Sequence, residues 1–200
     1  MNQTVFIVDD DAAIRDALAQ LLETASLQVE SHADGRTFLE AYAQDRPGCL
    51  LLDMAMPGMT GLEVQAELRA RGLAIPVIFL TGHGDIPLAV RTLQAGAVDF
   101  LEKPVQGALL IERVRRALNL DQEWRETQGR TQAIQQRHAR LSSREREVMA
   151  LAVAGYTCKE IAQKLGISPR TVEVHRTHVM HKMGASNLVE LVNMAACCTA

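Results

Sequence analysis

Four places in the first half of the sequence put a chemically competent side chain straight after an apolar run. Thr4–Val8 leads into Asp9-Asp10-Asp11, Cys49–Leu52 into Asp53, Pro76–Leu80 into Thr81, and Ala97–Leu101 into Glu102-Lys103-Pro104. Converging carboxylates repel one another unless a cation joins them. Mg2+ suits them, because it prefers oxygen ligands, keeps waters and binds through one or two carboxylates plus phosphate. A carboxylate can also act as a nucleophile and form an acyl phosphate. Phosphoryl transfer needs its charge neutralised by metal, lysine and hydroxyl donors, and Lys103 and Thr81 are of the right types. Taken singly, each residue has a blander reading. A strand-end Asp is commonly a helix cap, and Asp11 reads as one. Thr81 alone could be a turn hydroxyl, Lys103 a solvated charge, and Phe100 core. The joint placement carries the argument.

A second group lies near the other end. A helical segment at Lys159–Leu165, the turn Gly166-Ile167-Ser168, and a helical segment at Pro169–Met183 form a helix-turn-helix pattern. On the later helix Val172, Val179 and Met183 fall near one face and should pack inward. Arg170, Glu173, Arg176 and Thr177 point elsewhere. Glu can accept from a cytosine amine and Arg can read guanine. Lys159 and Thr171, near helix N-termini, are candidates for phosphates. His175, His178 and His181 recur every third residue, but no Cys or carboxylate partner completes a metal set, so they read as surface or groove-facing side chains.

The elements that must position these groups follow from periodicity. Strands at Thr4–Val8, Leu27–Ser31, Cys49–Leu52, Pro76–Leu80 and Ala97–Leu101 alternate with helices at Ala12–Thr24, Gly35–Gln44, Leu62–Ala70, Ile86–Gln94 and from Ala108. Five such units predict a doubly wound parallel sheet, where ligands bind beyond the carboxyl ends of the strands. Residues 119–139 read as a linker, helical by composition but weakened by Gly129, its charges a solvated face or one wet seam of a coiled coil. From Leu141 the pattern is all helical. Ser142 with Glu145 and Thr157 with Glu160 are capping boxes, Ser168-Pro169 starts the third helix, and a fourth covers Asn187–Cys197.

Charge divides the same way. Residues 1–118 carry net −6, residues 119–139 are balanced, and residues 140–200 carry net +3. An acidic front and a basic back suggest two tasks, the second with nucleic acid. The sequence has no apolar stretch long enough to span a membrane and no basic-then-apolar leader pattern. Cys49, Cys158, Cys197 and Cys198 form no CxxC pair, so reduced thiols in a cytoplasmic protein are expected.

Val8-Asp9-Asp10, Asp53 with Met56-Pro57-Gly58, Thr81-Gly82-His83-Gly84-Asp85, and Asp99-Phe100-Leu101-Glu102-Lys103-Pro104 together resemble the receiver domain of two-component response regulators, closest to the FixJ-type branch. Leu141–Val148, Lys159-Glu160-Ile161-Ala162 and Ser168–Arg176 resemble the LuxR-type output domain of the FixJ/NarL family. The resemblance implies a flavodoxin-like α/β receiver in 1–118 and an all-α four-helix helix-turn-helix domain in 140–200. It implies Asp53 as phosphoacceptor, and Mg2+ held by Asp10 and Asp53 with Asp9 alongside and the Ala55 backbone carbonyl as a ligand. Thr81 and Lys103 would contact the phosphoryl group, Phe100 would be an aromatic switch, and Lys103-Pro104 would be cis. On DNA it implies base-edge contacts from Glu173, Val174 and Thr177, with Arg176 and Lys182 nearby. Cys158 departs from the family's usual Asn, which puts a backbone or phosphate contact there in doubt.

The expected function is therefore that of a response regulator. A sensor histidine kinase would phosphorylate Asp53, and the homodimer so formed would bind double-stranded DNA and regulate transcription. RNA polymerase counts among the partners left open. The expected dimer surface of the receiver spans Ile86–Leu118, with Val90, Leu93 and Gln94 on it, and the fourth output helix would present Leu188, Leu191 and Val192 to a twin. Two other readings compete. A haloacid-dehalogenase-type phosphatase wants a second Asp two residues after the nucleophile, and that position is Ala55. A non-phosphorylated adaptor of receiver-like fold would have no need of the acidic pair, Thr81 and Lys103.

Overall fold

Apolar runs without polar interruption suit strands covered on both faces. The computed structural model describes residues 3–42, 46–82 and 96–198. They form two compact units, Met1–Trp124 and Arg125–Ala200. The first holds β1 (Thr4–Val8), α1 (Ala12–Thr24), β2 (Gln28–His32), α2 (Gly35–Ala41), β3 (Gly48–Asp53), α3 (Gly61–Ala70), β4 (Val77–Thr81), β5 (Asp99–Glu102) and the start of α4 (Gly107–Ala139). All strand pairs are parallel, in the order β2-β1-β3-β4-β5. The order reverses at β1, which opens a crevice beyond the carboxyl ends of β1 and β3. The expected helix Ile86–Gln94, with Val90, Leu93 and Gln94, lies outside the described residues, as do His83, Gly84 and Asp85.

Strand alternation sorts the core into two layers. Phe6, Val8, Leu50, Leu52 and Phe79 face Phe38, Leu39, Val64 and Leu68 of α2 and α3. Val5, Ile7, Leu51, Ile78 and Leu80 face Leu22 of α1 and Leu110, Val114 and Leu118 of α4. Two glycines allow the closest approaches to backbone oxygens. A Cβ on Gly48 would lie 1.9 Å from the Thr4 carbonyl oxygen, and one on Gly61 would lie 2.5 Å from that of Asp53. Asp11 caps α1, its carboxylate accepting from the Ala13 and Ile14 amides.

The helix expected over residues 119–139 is present, and Glu123, Glu126, Arg130 and Arg137 are exposed as a solvated face requires, but Asp121 departs from that reading. The stretch is helical throughout as part of α4, Gly129 included. Asp121 is only 1% exposed, and its Oδ2 accepts the Gly48 backbone N–H at 2.9 Å. Ile134, also on α4, is buried with Leu141, Met149, Val179, Met183 and Leu191.

The second unit continues with α5 (Ser143–Val153), α6 (Cys158–Leu165), α7 (Pro169–Met183) and α8 (Leu188–Ala196). Both expected capping boxes form, at Ser142/Glu145 and Thr157/Glu160. Gly166 and Gly184 end α6 and α7 at φ 66° and 72°, a left-handed conformation that glycine adopts without a Cβ clash. Val172, Val179 and Met183 are buried as their spacing required. No helix among the described residues is long and apolar enough to cross a membrane.

Candidate functional site

The carboxyl ends of β1, β3 and β4 and the turn after β5 deliver one polar group each to the crevice. Asp9 is 1% exposed and Asp53 5% exposed. Lys103 joins them, its Nζ donating to Asp9 Oδ2 at 2.6 Å and to Asp53 Oδ1 at 2.5 Å. The remaining oxygens are also held: Asp9 Oδ1 accepts from the Asp11 amide at 3.0 Å and Asp53 Oδ2 from the Ala55 amide at 2.9 Å. Arg15 Nη1 donates to the Asp9 carbonyl oxygen at 2.7 Å and steadies that turn. Thr81 is buried at the end of β4, its carbonyl accepting the Lys103 amide at 2.7 Å. The Lys103-Pro104 bond is cis. Phe100 is half-buried against the layer under α2 and α3.

Electrostatics follow from burial. Desolvation pushes the Asp53 carboxyl above its ordinary range, and the hydrogen bond and charge of Lys103 oppose this without cancelling it. Burial by itself would lower Lys103, but its hydrogen bonds to Asp53 and Asp9 win and hold it above its usual value. Lys103 is thus firmly an ammonium, shared by two carboxylates whose summed charge it halves.

The sequence led us to expect three converging carboxylates, and the structure gathers two. Asp10 is exposed beside Asp9, and among the described residues no three His, Cys, Asp or Glu side chains cluster as a metal site. The donor set still fits a hard divalent cation. It is all oxygen, it retains one uncompensated negative charge in a buried place, and two carboxylates suffice for Mg2+ when waters and phosphate complete the shell.

The second candidate surface is α7 with the start of α6. Thr171, Glu173, Val174 and Thr177 are exposed, Val174 at 48%. Lys159 is exposed on the first turn of α6. An exposed valine beside polar neighbours on one helix is the arrangement that meets a thymine methyl. Thr177 Oγ1 donates to the Glu173 carbonyl at 3.0 Å, so its methyl and a lone pair remain outward. Arg176 and Lys182 are both engaged within the unit. Arg176 Nη1 donates to Cys158 Sγ at 3.1 Å. Lys182 Nζ donates at 2.7 Å to Glu145 Oε2, a carboxylate only 4% exposed. His178 Nδ1 stands 3.9 Å from the other Glu145 oxygen.

Sequence reasoning gave Glu145 a capping role alone. It caps, accepting the Ser142 amide at 2.7 Å, and it also anchors α7 to α5. Lys182 is 37 residues away, so no local pattern announces the pair. Arg137 near the end of α4 was read only as one charge of a solvated face, and it donates to the Met183 carbonyl at 3.0 Å, closing the last turn of α7.

Comparison with known proteins agrees with this architecture. Residues 5–115 match the family model of the response regulator receiver domain, and residues 139–195 match that of bacterial regulatory proteins of the luxR family. The transcriptional regulatory protein FixJ of Azorhizobium caulinodans is 48% identical over 191 residues, covering 96% of this chain and 90% of that protein. The response regulator protein TodT of Pseudomonas putida is 40% identical over 190 residues, covering 95% and 84%. Among solved structures, the response regulator StyR superposes with a TM-score of 0.89 at 40% identity, over 98% of this chain and 99% of that one. Full-length FixJ from B. japonicum gives 0.61 at 40% identity, over 99% and 98%. The chain belongs to the two-component response regulators of the FixJ-type branch, which join a receiver domain to a LuxR-type helix-turn-helix domain.

Proposed function

We propose that this chain is a cytoplasmic transcription regulator switched by phosphorylation of Asp53. The observation that carries the reading is the pair of buried carboxylates, Asp9 and Asp53, bridged by Lys103 at the carboxyl end of the sheet. One oxygen of the Asp53 carboxylate attacks the phosphorus of a phosphodonor, supplied by a sensor histidine kinase. The bond from phosphorus to the donor's leaving group breaks as the Asp53–phosphorus bond forms. Lys103 and Thr81 take the charge of the incoming phosphoryl oxygens, and Phe100 on the neighbouring strand senses the change. Asp9, Asp10, Asp53 and the Ala55 carbonyl would hold Mg2+, which supplies further charge neutralisation when bound. The group transfer is self-limited chemistry on the chain itself and not turnover of a free substrate.

In the same proposal residues 1–118 receive the signal, residues 119–139 connect, and residues 140–200 bind double-stranded DNA. Glu173, Val174 and Thr177 read base edges, while Lys159, Thr171, Arg176 and Lys182 lie on the phosphate side. The phosphorylated chain acts as a homodimer, with α8 presenting Leu188, Val189 and Val192, all exposed, to its twin; Leu191, expected on that face, is instead buried in the core because it faces Met149 and Met183. RNA polymerase is then the protein on which the bound dimer acts. Selection of binding sites from random duplex DNA, with full-length chain treated with acetyl phosphate and Mg2+, tests this. Two half-sites in inverted order are expected, as two-fold symmetry requires. Glu173→Ala should relax one base position, at a cost of about 1–3 kcal/mol for the preferred base. A single unpaired half-site, or an unaltered consensus for Glu173→Ala, would refute the recognition scheme.

A further inference from the structure

Cys158 and Arg176 make a contact that neither the capping pattern nor the recognition-helix pattern accounts for. Cys158 is the first residue of α6, and its sulfur accepts from Arg176 Nη1 at 3.1 Å across 18 residues of sequence. Arg176 is half-buried, and it lines a small apolar cavity with Val148, Met149, Val179 and Leu191. The side chain is therefore partly enclosed, and its head is hydrogen-bonded.

The nature of the acceptor matters. Lys182 in the same unit ends on the Glu145 carboxylate, and Arg144 on Glu147 and the Leu165 carbonyl. Those acceptors are charged or strongly polar and spend the cation's attraction inside the protein. A thiol sulfur is a weak, neutral acceptor, and it occupies one of the five guanidinium N–H groups. Among the described residues Arg176 has no ion-pair partner. The contact thus orients the guanidinium without quenching its charge, and leaves a bidentate edge for a phosphate.

We propose that Cys158 is a positioning residue for DNA binding, holding Arg176 in a phosphate-ready geometry so that its ordering precedes the encounter. The proposal rests on the reading of α7 as the DNA-contacting helix. It predicts that Cys158→Ala lowers affinity about three- to tenfold, the cost of ordering one long side chain on binding. The salt slope should stay as in wild type, because Arg176 still reaches its phosphate. Arg176→Ala should lose more affinity and lower the slope by about one unit.

A double-mutant cycle on the full-length chain treated with acetyl phosphate and Mg2+, titrated with a mixed-sequence duplex over a range of salt, tests it. The expected result is that Cys158→Ala costs nothing further in the Arg176→Ala background, and that Cys158→Ser, which keeps an acceptor, retains most of the affinity. A general packing defect would persist without Arg176 and would show in the melting of the second unit. Equal cost of Cys158→Ala in both backgrounds, or wild-type affinity for Cys158→Ala while Arg176→Ala is impaired, overturns the positioning role and leaves the DNA reading standing. Unchanged affinity and slope for Arg176→Ala overturns Arg176 as a phosphate contact, and the positioning role with it. Absence of duplex binding by wild type overturns the underlying reading.

Discussion

Asp53→Asn should gain no phosphoryl group from acetyl phosphate and Mg2+, where wild type gains one, as read by intact mass. Asn keeps the shape, but its single amide oxygen can accept from the Ala55 amide or from Lys103 and not from both. It loses the anionic oxygen that must attack phosphorus. The same change should leave the receiver about as stable, relief of the repulsion offsetting the lost hydrogen bond. Two buried carboxylates now share one ammonium, and burial already lifts the Asp53 carboxyl above its usual range. Neutralising it leaves a one-to-one pair between Lys103 and Asp9. A variant that neither takes phosphate nor loses melting temperature separates chemistry from folding. Stoichiometric phosphorylation of Asp53→Asn would remove this residue from the role.

The second large effect concerns Glu145. Its pKa is lowered from 4.5 to about 2, chiefly by the Lys182 hydrogen bond, then by the Ser142 amide. A carboxyl depressed in the folded state contributes stability that is fully present above its unfolded pKa and is lost as pH falls through the folded one. The second unit should therefore weaken between about pH 4.5 and about pH 2, and Glu145→Gln should flatten that window. Lys182→Ala at neutral pH leaves a buried carboxylate with the Ser142 donors and the more distant His178 ring as its neighbours, at a cost of about 1–3 kcal/mol. Exchange of the Val179 and Met183 amides, which lie on the anchored helix, reports both changes. An acid profile identical in Glu145→Gln and wild type would show that the pair contributes nothing. The same pairing bears on recognition, since a Lys182 engaged by Glu145 must leave it to meet a phosphate.

The site on the sheet was legible because each member follows its own apolar run. Val8 before Asp9, Leu52 before Asp53 and Leu80 before Thr81 mark strand ends without any knowledge of neighbours, and parallel topology then brings the ends together. The caps at Ser142, Thr157 and Ser168 were legible for the same reason, being contained within four residues. The partnerships of Glu145 with Lys182 and of Cys158 with Arg176 were not, because they join different helices through a turn whose angle no periodicity encodes. Asp121 lies between. Leu110, Val114, Ala117 and Leu118 are buried at helical spacing, and Asp121 continues their stripe by one more turn. A polar residue at the end of an apolar stripe was a signal, hidden by the charged residues around it.

That aspartate also decides where the chain can be divided. A fragment ending at residue 118 would keep every strand of the sheet and yet leave the Gly48 N–H, at the start of the strand that carries Asp53, inside the protein with its acceptor cut away. Such a fragment should be softer by about 1–3 kcal/mol than one ending at residue 124, for want of a single carboxylate. The natural edge of the signalling module therefore lies within a helix and not in a loop.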